Sequence, residues 1–135
     1  MSAPTGSHTA TSRILVADDN PTIRILTVAM LEHMGHAVEI AEDGAAALSA
    51  VSTKPFDLIL MDLMMPKMDG LAATRAIRAL PGPAAHLPII GLTANTSDED
   101  RDACLKAGMN SFATKPITAQ HLRCQITAAL VNRAA

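Results

Sequence analysis

Short apolar runs alternate with helical patterns along almost the whole chain, and this alternation constrains the fold more than any other feature. Four runs have the length and content of strands and a fifth is weaker: RILVA (13–17), AVEIA (37–41), DLILM (57–61), IIGLT (89–93) and NSFAT (110–114). Strict alternation of strands and helices is typical of a parallel sheet covered by helices on both faces. The sequence therefore predicts an α/β fold with a doubly wound five-stranded parallel sheet.

The polarity of each run predicts its place in the sheet. Residues 14–17, 58–61 and 89–92 are continuously apolar, as expected of strands covered on both faces, whereas Glu39 and Ser111 interrupt the other two runs. The second and fifth strands are therefore expected at the edges. The flavodoxin-like order 2-1-3-4-5 satisfies this condition and puts its switch point, where ligands bind, between the first and third strands.

Capping signals divide the chain between the strands into five helices. The predicted N-caps are Asn20, Asp43, Ser97 and Thr118, while Gly70 opens the third helix and Gly35 and Gly108 end the first and fourth. In the first helix the predicted apolar face consists of Ile23, Leu26, Met30, Leu31 and Met34.

Size and composition limit the classes of function. The chain of 135 residues suits one domain, expected over residues 13–132, after a disordered leader or linker at 1–12. No apolar run approaches the roughly 20 residues that span a membrane. A net charge of -2 without a Lys/Arg cluster disfavours direct nucleic-acid binding. Cys104 and Cys124 form no C-x-x-C pair and no signal peptide is present, which favours reduced thiols in the cytoplasm.

Three carboxylates fall at the predicted switch point. Asp18 and Asp19 directly follow the first strand, and Asp62 directly follows the third. Neighbouring strands lie about 4.8 Å apart, so these acids are expected to cluster. At an effective dielectric constant near 20, each pair of charges roughly 5 Å apart repels by about 3 kcal/mol. A hard cation bound by oxygen ligands would relieve this repulsion, and Mg²⁺ suits the few carboxylates better than Ca²⁺.

Two further strand ends carry complementary groups. Thr93 closes the fourth strand with a hydroxyl, and Lys115 follows the fifth with an ammonium suited to a phosphoryl oxygen. Taken singly, each group has a structural explanation, since an acid pair at a strand end is more often a turn or a helix cap. Because all of them fall at the carboxyl ends of strands, together they indicate a carboxylate that accepts and holds a phosphoryl group.

Four motifs in this order resemble the receiver domain of two-component response regulators: LVADDN, LILMDLMMPKMDG, IIGLTAN and ATKPI. The resemblance covers residues 13 to about 132. It implies that Asp62 is the phosphoacceptor, and that Asp19, Asp62 and the backbone carbonyl of Met64 bind Mg²⁺, with Asp18 acting mostly through water. It also implies that Thr93 and Lys115 engage the phosphoryl group, that the Lys115–Pro116 bond is cis, and that Phe112 is the switch aromatic, where relatives often have tyrosine.

Three longer segments are similar in sequence to the receivers of hybrid sensor histidine kinases: DDNPTIRIL, EDGAAAL and LTANTSDEDRDACLKAGMNSFATKPI. The implied partner is a histidine kinase or a histidine phosphotransfer domain, and the implied role is phosphotransfer with slow autodephosphorylation and no other enzymatic activity. Whether the chain stands alone or belongs to a larger protein stays open.

Two rival functions differ in their chemistry. A hydrolase with an aspartyl-phosphate intermediate usually has a second acid two residues after the nucleophile, and here that position is Met64. A phosphorylation-independent interaction module would not need the complete set of acids, threonine and lysine that this chain carries.

Overall fold

A computed structural model describes residues 12–65, 68–94, 97–115 and 117–134, with side chains described up to Val131. The elements are β1 (Arg13–Ala17), α1 (Pro21–His33), β2 (Ala37–Ala41), α2 (Gly44–Thr53), β3 (Leu58–Asp62), α3 (Gly70–Arg78), a 3₁₀ helix (Pro83–His86), β4 (Ile89–Thr93), α4 (Asp98–Ala107), β5 (Ser111–Thr114) and α5 (Ala119–Ala134). The predicted leader, apart from Ser12, lies outside the described residues.

All described strands belong to one parallel sheet in the order β2-β1-β3-β4-β5. This order confirms the predicted fold class and the predicted edge strands. The central strands β3 and β4 are buried along their whole length, whereas β2 and β5 are partly exposed. On the edge strand β2, Glu39 reaches Arg13 and Lys54 at 3.2 and 2.6 Å, so its charge remains paired near solvent.

Two apolar layers cover the faces of the sheet. On one face, Ala47 and Val51 of α2, Ala73 and Ile77 of α3 and Cys104 of α4 pack against alternate strand residues. On the other face, Leu31 of α1 and Leu122 and Ile126 of α5 pack against the intervening strand residues. The continuous apolar runs follow from this arrangement, because each central strand is covered on both sides.

The predicted helix boundaries agree with the structure. The side chains of Asn20, Asp43, Ser97 and Thr118 each accept a hydrogen bond from a backbone N–H in the first turn of their helices. Gly108 adopts the left-handed conformation that ends α4.

Two strands begin one residue later than the sequence predicted. The third strand was expected at 57–61 and the fifth at 110–114. Asp57 contacts β1 through its backbone N–H and its side chain but precedes the strand. At the other end Asp62 pairs with Leu92, so Asp62 is the last residue of β3 and does not follow it.

The predicted apolar face of α1 was wrong at Leu26. Leu26 is 58% exposed, whereas Thr27 is buried. The Thr27 hydroxyl donates to the carbonyl of Ile23, which satisfies it within the helix, so a polar residue can face the sheet here. Among the described residues, no helix is both long enough and apolar enough to cross a membrane.

Candidate functional site

The carboxylates predicted to cluster do so at the carboxyl end of the sheet. Asp18, Asp19 and Asp62 can each offer one oxygen such that all three oxygens lie within 4.8 Å of one another. Asp18 and Asp62 are buried, whereas Asp19 is exposed. The cluster therefore opens to solvent through Asp19.

The turn after β1 fixes Asp18. The Asp18 N–H donates to the carbonyl of Ala41, which extends the contact with β2 by one residue. Its Oδ1 accepts from the Asn20 N–H at 2.9 Å. Arg24 reaches back from α1 and donates through Nη1 to the Asp18 carbonyl at 3.0 Å. Hydrogen bonds with neighbouring residues thus fix both the backbone and the side chain of Asp18.

The backbone also fixes the orientation of Asp62. Pairing with Leu92 holds its main chain in the sheet, and the Met64 N–H donates to Asp62 Oδ1 at 3.2 Å. The start of α3 lies directly on this residue, since a Cβ placed on Gly70 would stand 2.1 Å from the Asp62 carbonyl oxygen. Only a glycine can occupy this position without displacing the chain that carries the acid.

Lys115 brings a positive charge into the cluster from the end of β5. Its Nζ lies 2.8 Å from Asp62 Oδ2 and 3.4 Å from Asp18 Oδ2. The Lys115 N–H donates to the Thr93 carbonyl at 2.7 Å, which holds the residue beside β4. The lysine side chain is only 15% exposed, so the ion pair with Asp62 is partly shielded from water.

Burial raises the pKa of Asp62 to about 6 from its usual 3.8. The hydrogen bond from Lys115 lowers this pKa, the negative charge of Asp18 raises it, and the Met64 N–H lowers it slightly. Loss of hydration is the largest of these effects. The carboxyl group is therefore poised to change protonation close to neutral pH.

The donor set fits a hard divalent cation. Asp18 Oδ2 is buried and accepts no hydrogen bond from any residue that the structure describes. Among the residues that the structure describes, Lys115 is the cation in contact with this cluster, and it lies within 4 Å of Asp18 and Asp62, so the three carboxylates keep an excess of negative charge. Oxygen ligands with an open, solvent-facing side are the surroundings that Mg²⁺ prefers.

The other predicted site residues lie around this cluster. Thr93 is buried at the end of β4, opposite Thr114 in the sheet. Met64 leaves the strand end with its side chain 79% exposed. Phe112 lies half-buried on β5, three residues before Lys115, and the guanidinium of Arg101 stands over its ring. The predicted cis peptide bond before Pro116 lies outside the described residues.

Sequence reasoning missed three contributors to this region: Arg24, Gly70 as a contact to the Asp62 carbonyl, and Arg101. Only Gly70 carried a signal, because a glycine directly after an N-cap aspartate is an unusual choice for the first residue of a helix. The two arginines act through contacts that residue spacing does not specify.

Comparison with known proteins places this geometry in a family. The family model described as response regulator receiver domain matches residues 14–127. The chain is 43% identical over 112 residues to the sensor histidine kinase GacS of Pseudomonas protegens and 40% identical over 114 residues to the sensor histidine kinase RcsC of Escherichia coli. These matches cover 82% and 84% of this chain but only 12% of the length of each relative.

Solved structures share both the fold and the sequence pattern. The receiver domain of the sensor histidine kinase PA1611 from Pseudomonas aeruginosa, described with a magnesium ion coordinated in the active site cleft, is 38% identical with a TM-score of 0.84. That match covers 90% of this chain and 99% of the other. The chemotaxis protein CheY4 of Vibrio cholerae is 30% identical with a TM-score of 0.84, covering 90% and 100%. The chain belongs to the response regulator receiver domain family and is homologous to the receivers of hybrid sensor histidine kinases.

Proposed function

We propose that Asp62 accepts a phosphoryl group from a phosphohistidine and then passes it on or loses it slowly to water. The observation that carries this proposal is the ion pair of 2.8 Å between Asp62 and Lys115 inside a cluster of three acids. A carboxylate oxygen of Asp62 attacks the phosphorus atom, the P–N bond of the phosphohistidine breaks, and the imidazole leaves with the bonding electron pair. The product is an acyl phosphate at the end of β3.

The surrounding residues would bind the phosphoryl oxygens. The Lys115 ammonium already contacts Asp62 and would pair with the phosphoryl oxygens. The Thr93 hydroxyl, at the end of the adjacent strand, would donate a hydrogen bond to them. Asp18, Asp19, Asp62 and the backbone carbonyl of Met64 would hold Mg²⁺. When bound, this cation would neutralise the carboxylates and the incoming phosphoryl group, as positive charge does at other phosphoryl-transfer sites.

The position two residues after Asp62 argues against a dedicated phosphatase. Met64 is apolar and exposed, so it cannot donate a proton to a leaving group or orient an attacking water molecule. The chain would therefore act on its own phosphoryl group only, and slowly, which leaves time for transfer to a partner.

Exposed apolar residues that follow the acids closely in sequence suit contact with a partner domain. Ile25 and Leu26 on α1 are 67% and 58% exposed, and the Met64 side chain also lies open to solvent. Exposed apolar groups that together form a contiguous surface mark protein-interaction sites. We assign these three residues to the contact with a histidine phosphotransfer domain or with the phosphorylated domain of a histidine kinase. Cys104 and Cys124, both free thiols, are consistent with a cytoplasmic location.

Phosphorylation would be transmitted through β4 and β5. A phosphoryl group adds about -1.5 to -2 charges beside Thr93 and Lys115. A hydroxyl drawn toward that charge would move the end of β4 and open space for the Phe112 ring. The face formed by α4, β5 and α5 would then differ between the two states.

Mass spectrometry of the intact chain tests the proposal. Incubation with acetyl phosphate and Mg²⁺ should add one phosphoryl group, whereas EDTA or the Asp62→Asn substitution should abolish the gain. Labelling that persists in EDTA, or in the Asp62→Asn variant, would overturn the assignment.

A further inference from the structure

A cation covers the aromatic ring on the edge strand. The guanidinium carbon of Arg101, in α4, lies 5.0 Å from the centroid of the Phe112 ring. Cations within about 6 Å of a ring centroid are attracted by its negative face. Arg101 is exposed and Phe112 half-buried, so the contact closes the outer side of the ring.

The covered ring is connected to the acid cluster through the sheet. Phe112 stands opposite Gly91 in β4, two residues before Thr93, and it precedes Lys115 by three residues. The strand end beyond the ring is held by the hydrogen bond from the Lys115 N–H to the Thr93 carbonyl. A displacement at the end of β5 can therefore reach the ring along the backbone, and one at the end of β4 can reach it through the pairing of the two strands.

We propose that Arg101 is a positioning residue that holds the Phe112 ring in its half-buried position and so opposes its inward movement on phosphorylation. The inference rests on the proposed function, because it requires a phosphoryl group at Asp62 to move the ring. A ring that turns inward leaves the guanidinium, and that lost attraction favours the unphosphorylated state. Arg101 thereby sets how far a given phosphoryl signal shifts the population.

The effect is measurable, since an exposed cation–π contact changes a two-state ratio by about two- to fivefold. Replacing Arg101 with glutamine should therefore strengthen the response to a phosphoryl mimic by that factor. A purely structural role in packing α4 against β5 would weaken the fold without shifting this ratio.

The chain offers a clean spectroscopic probe because it has only two phenylalanines. Phenylalanine labelled with ¹³C at one ring position would give one signal from Phe112 and one from Phe56. Phe56 is buried two residues before the start of β3, at the opposite end of that strand from Asp62, and serves as an internal reference. Beryllofluoride with Mg²⁺ is the phosphoryl mimic, added stepwise to the parent chain and to each variant.

Three variants distinguish the effect of the Arg101 cation from the packing of α4 and from the net charge. Arg101→Gln removes the cation, Arg101→Lys keeps it, and Arg123→Gln removes an equivalent exposed charge on α5. We expect Arg101→Gln to shift the Phe112 signal of the free protein toward its beryllofluoride-bound position and to lower the titration midpoint about two- to fivefold. Arg101→Lys should restore most of the parental behaviour, and Arg123→Gln should match the parent.

Two failures are distinguishable. If the parent binds beryllofluoride and its Phe112 signal moves, but Arg101→Gln behaves as the parent does, the positioning role is wrong and the proposed function stands. An equal change in Arg123→Gln would also overturn the positioning role, because the effect would then be one of net charge. If beryllofluoride with Mg²⁺ leaves the amide chemical shifts around Asp62 of the parent unchanged, the proposed function fails, and this inference fails with it.

Discussion

The ionised carboxyl group of Asp62 is less favourable in the folded protein than in the unfolded chain, because burial removes its hydration. Asp62 is only 3% exposed, and burial raises its pKa to about 6 even with the Lys115 ammonium 2.8 Å away. In the unfolded chain the same carboxyl ionises near pH 4. Without a bound cation the folded protein therefore holds a carboxylate that would be better hydrated in the unfolded chain. The residue that carries the proposed chemistry is one that the fold tolerates at a cost.

This cost predicts how stability depends on pH. Because the folded-state pKa is the higher one, the Asp62 contribution is fully favourable below about pH 4 and is lost as pH rises to about 6. A change in pKa from 3.8 to about 6 corresponds to about 3 kcal/mol between the two protonation states. Asparagine keeps an oxygen for Lys115, so we expect Asp62→Asn to raise the free energy of unfolding by about 1–2 kcal/mol at pH 7.5 in EDTA.

Urea unfolding between pH 4 and 7.5 measures this difference. The gain from Asp62→Asn should be small at pH 4, grow toward pH 6 and stay constant above it. Asp102→Asn, which removes an exposed carboxylate on α4, is the control and should change stability little at any pH. A variant at Asp62 that is less stable than the parent at pH 7.5 would contradict the account.

Among the secondary-structure elements, the contact between the start of α3 and the end of β3 determines the geometry of the site. The Gly70 N–H donates to the Leu63 carbonyl at 3.1 Å, and the missing side chain lets the helix start against the Asp62 carbonyl. A methyl group here would stand 2.1 Å from the Asp62 carbonyl oxygen, and backbone cannot rotate away as a side chain can. The helix start and the acid are therefore one structural unit.

Replacing Gly70 with alanine should damage the site as well as the fold. We expect a loss of about 2–4 kcal/mol in the free energy of unfolding, from overpacking against fixed backbone. Any folded fraction should be labelled by acetyl phosphate at least about tenfold more slowly, because the displaced chain carries Asp62. Intact-mass kinetics and urea unfolding measure the two effects.

Gly82→Ala provides the comparison. Gly82 lies in the loop at the opposite end of the sheet, where a Cβ would meet no other atom. Alanine is destabilising there because of the φ of 82°, which side chains rarely adopt. The variant should lose stability and keep the parental labelling rate per folded molecule. Equal labelling rates in Gly70→Ala and Gly82→Ala would show that the contact of Gly70 with Asp62 is unimportant for the site.

The elements also show what the sequence could predict. Strand order, edge strands and helix caps follow from local patterns, because burial on two faces and unsatisfied helix N–H groups each leave a mark within a few residues. The position of Asp62 inside β3 did not follow, since the last pair of the ladder depends on Leu92, which is distant in sequence. The orientation of Leu26 was missed because Thr27 can satisfy its hydroxyl within the helix and take the buried place.

In the candidate site, residues at strand ends could be predicted from the sequence, whereas contacts made by long side chains could not. Asp18, Asp19, Asp62, Thr93 and Lys115 were placed by topology alone, since parallel strands deliver their carboxyl ends to one edge. Arg24 over the Asp18 carbonyl and Arg101 over Phe112 were not, because long side chains can reach many neighbours and spacing does not choose among them.

In the whole molecule, two exposed apolar residues follow the strand ends that carry the acids. Leu26 lies open on α1, the helix that follows the turn bearing Asp18 and Asp19, and the Met64 side chain lies open beside Asp62. A second exposed leucine, Leu105, is 55% exposed on α4 and belongs to a different face. These two leucines make a matched pair for locating the partner.

Leu26→Ala should slow phosphotransfer from a phosphorylated histidine phosphotransfer domain that labels the parent chain. We expect kcat/KM to fall about tenfold, as for a central apolar contact of an interface. Labelling by acetyl phosphate, which needs no docking, should stay unchanged in the same variant. Leu105→Ala should leave both rates at the parental value, and a larger loss in Leu105→Ala than in Leu26→Ala would place the docking surface on α4.

Reduction with borohydride identifies which aspartate forms the acyl phosphate. Borohydride converts a phosphorylated aspartate to homoserine, which peptide mass spectrometry locates in the sequence. After labelling with acetyl phosphate and Mg²⁺, we expect homoserine at position 62 and unchanged aspartate at positions 18 and 19. Homoserine at position 18 or 19, or none at position 62 in a chain that has gained a phosphoryl group, would contradict the assignment of Asp62 as the phosphoacceptor.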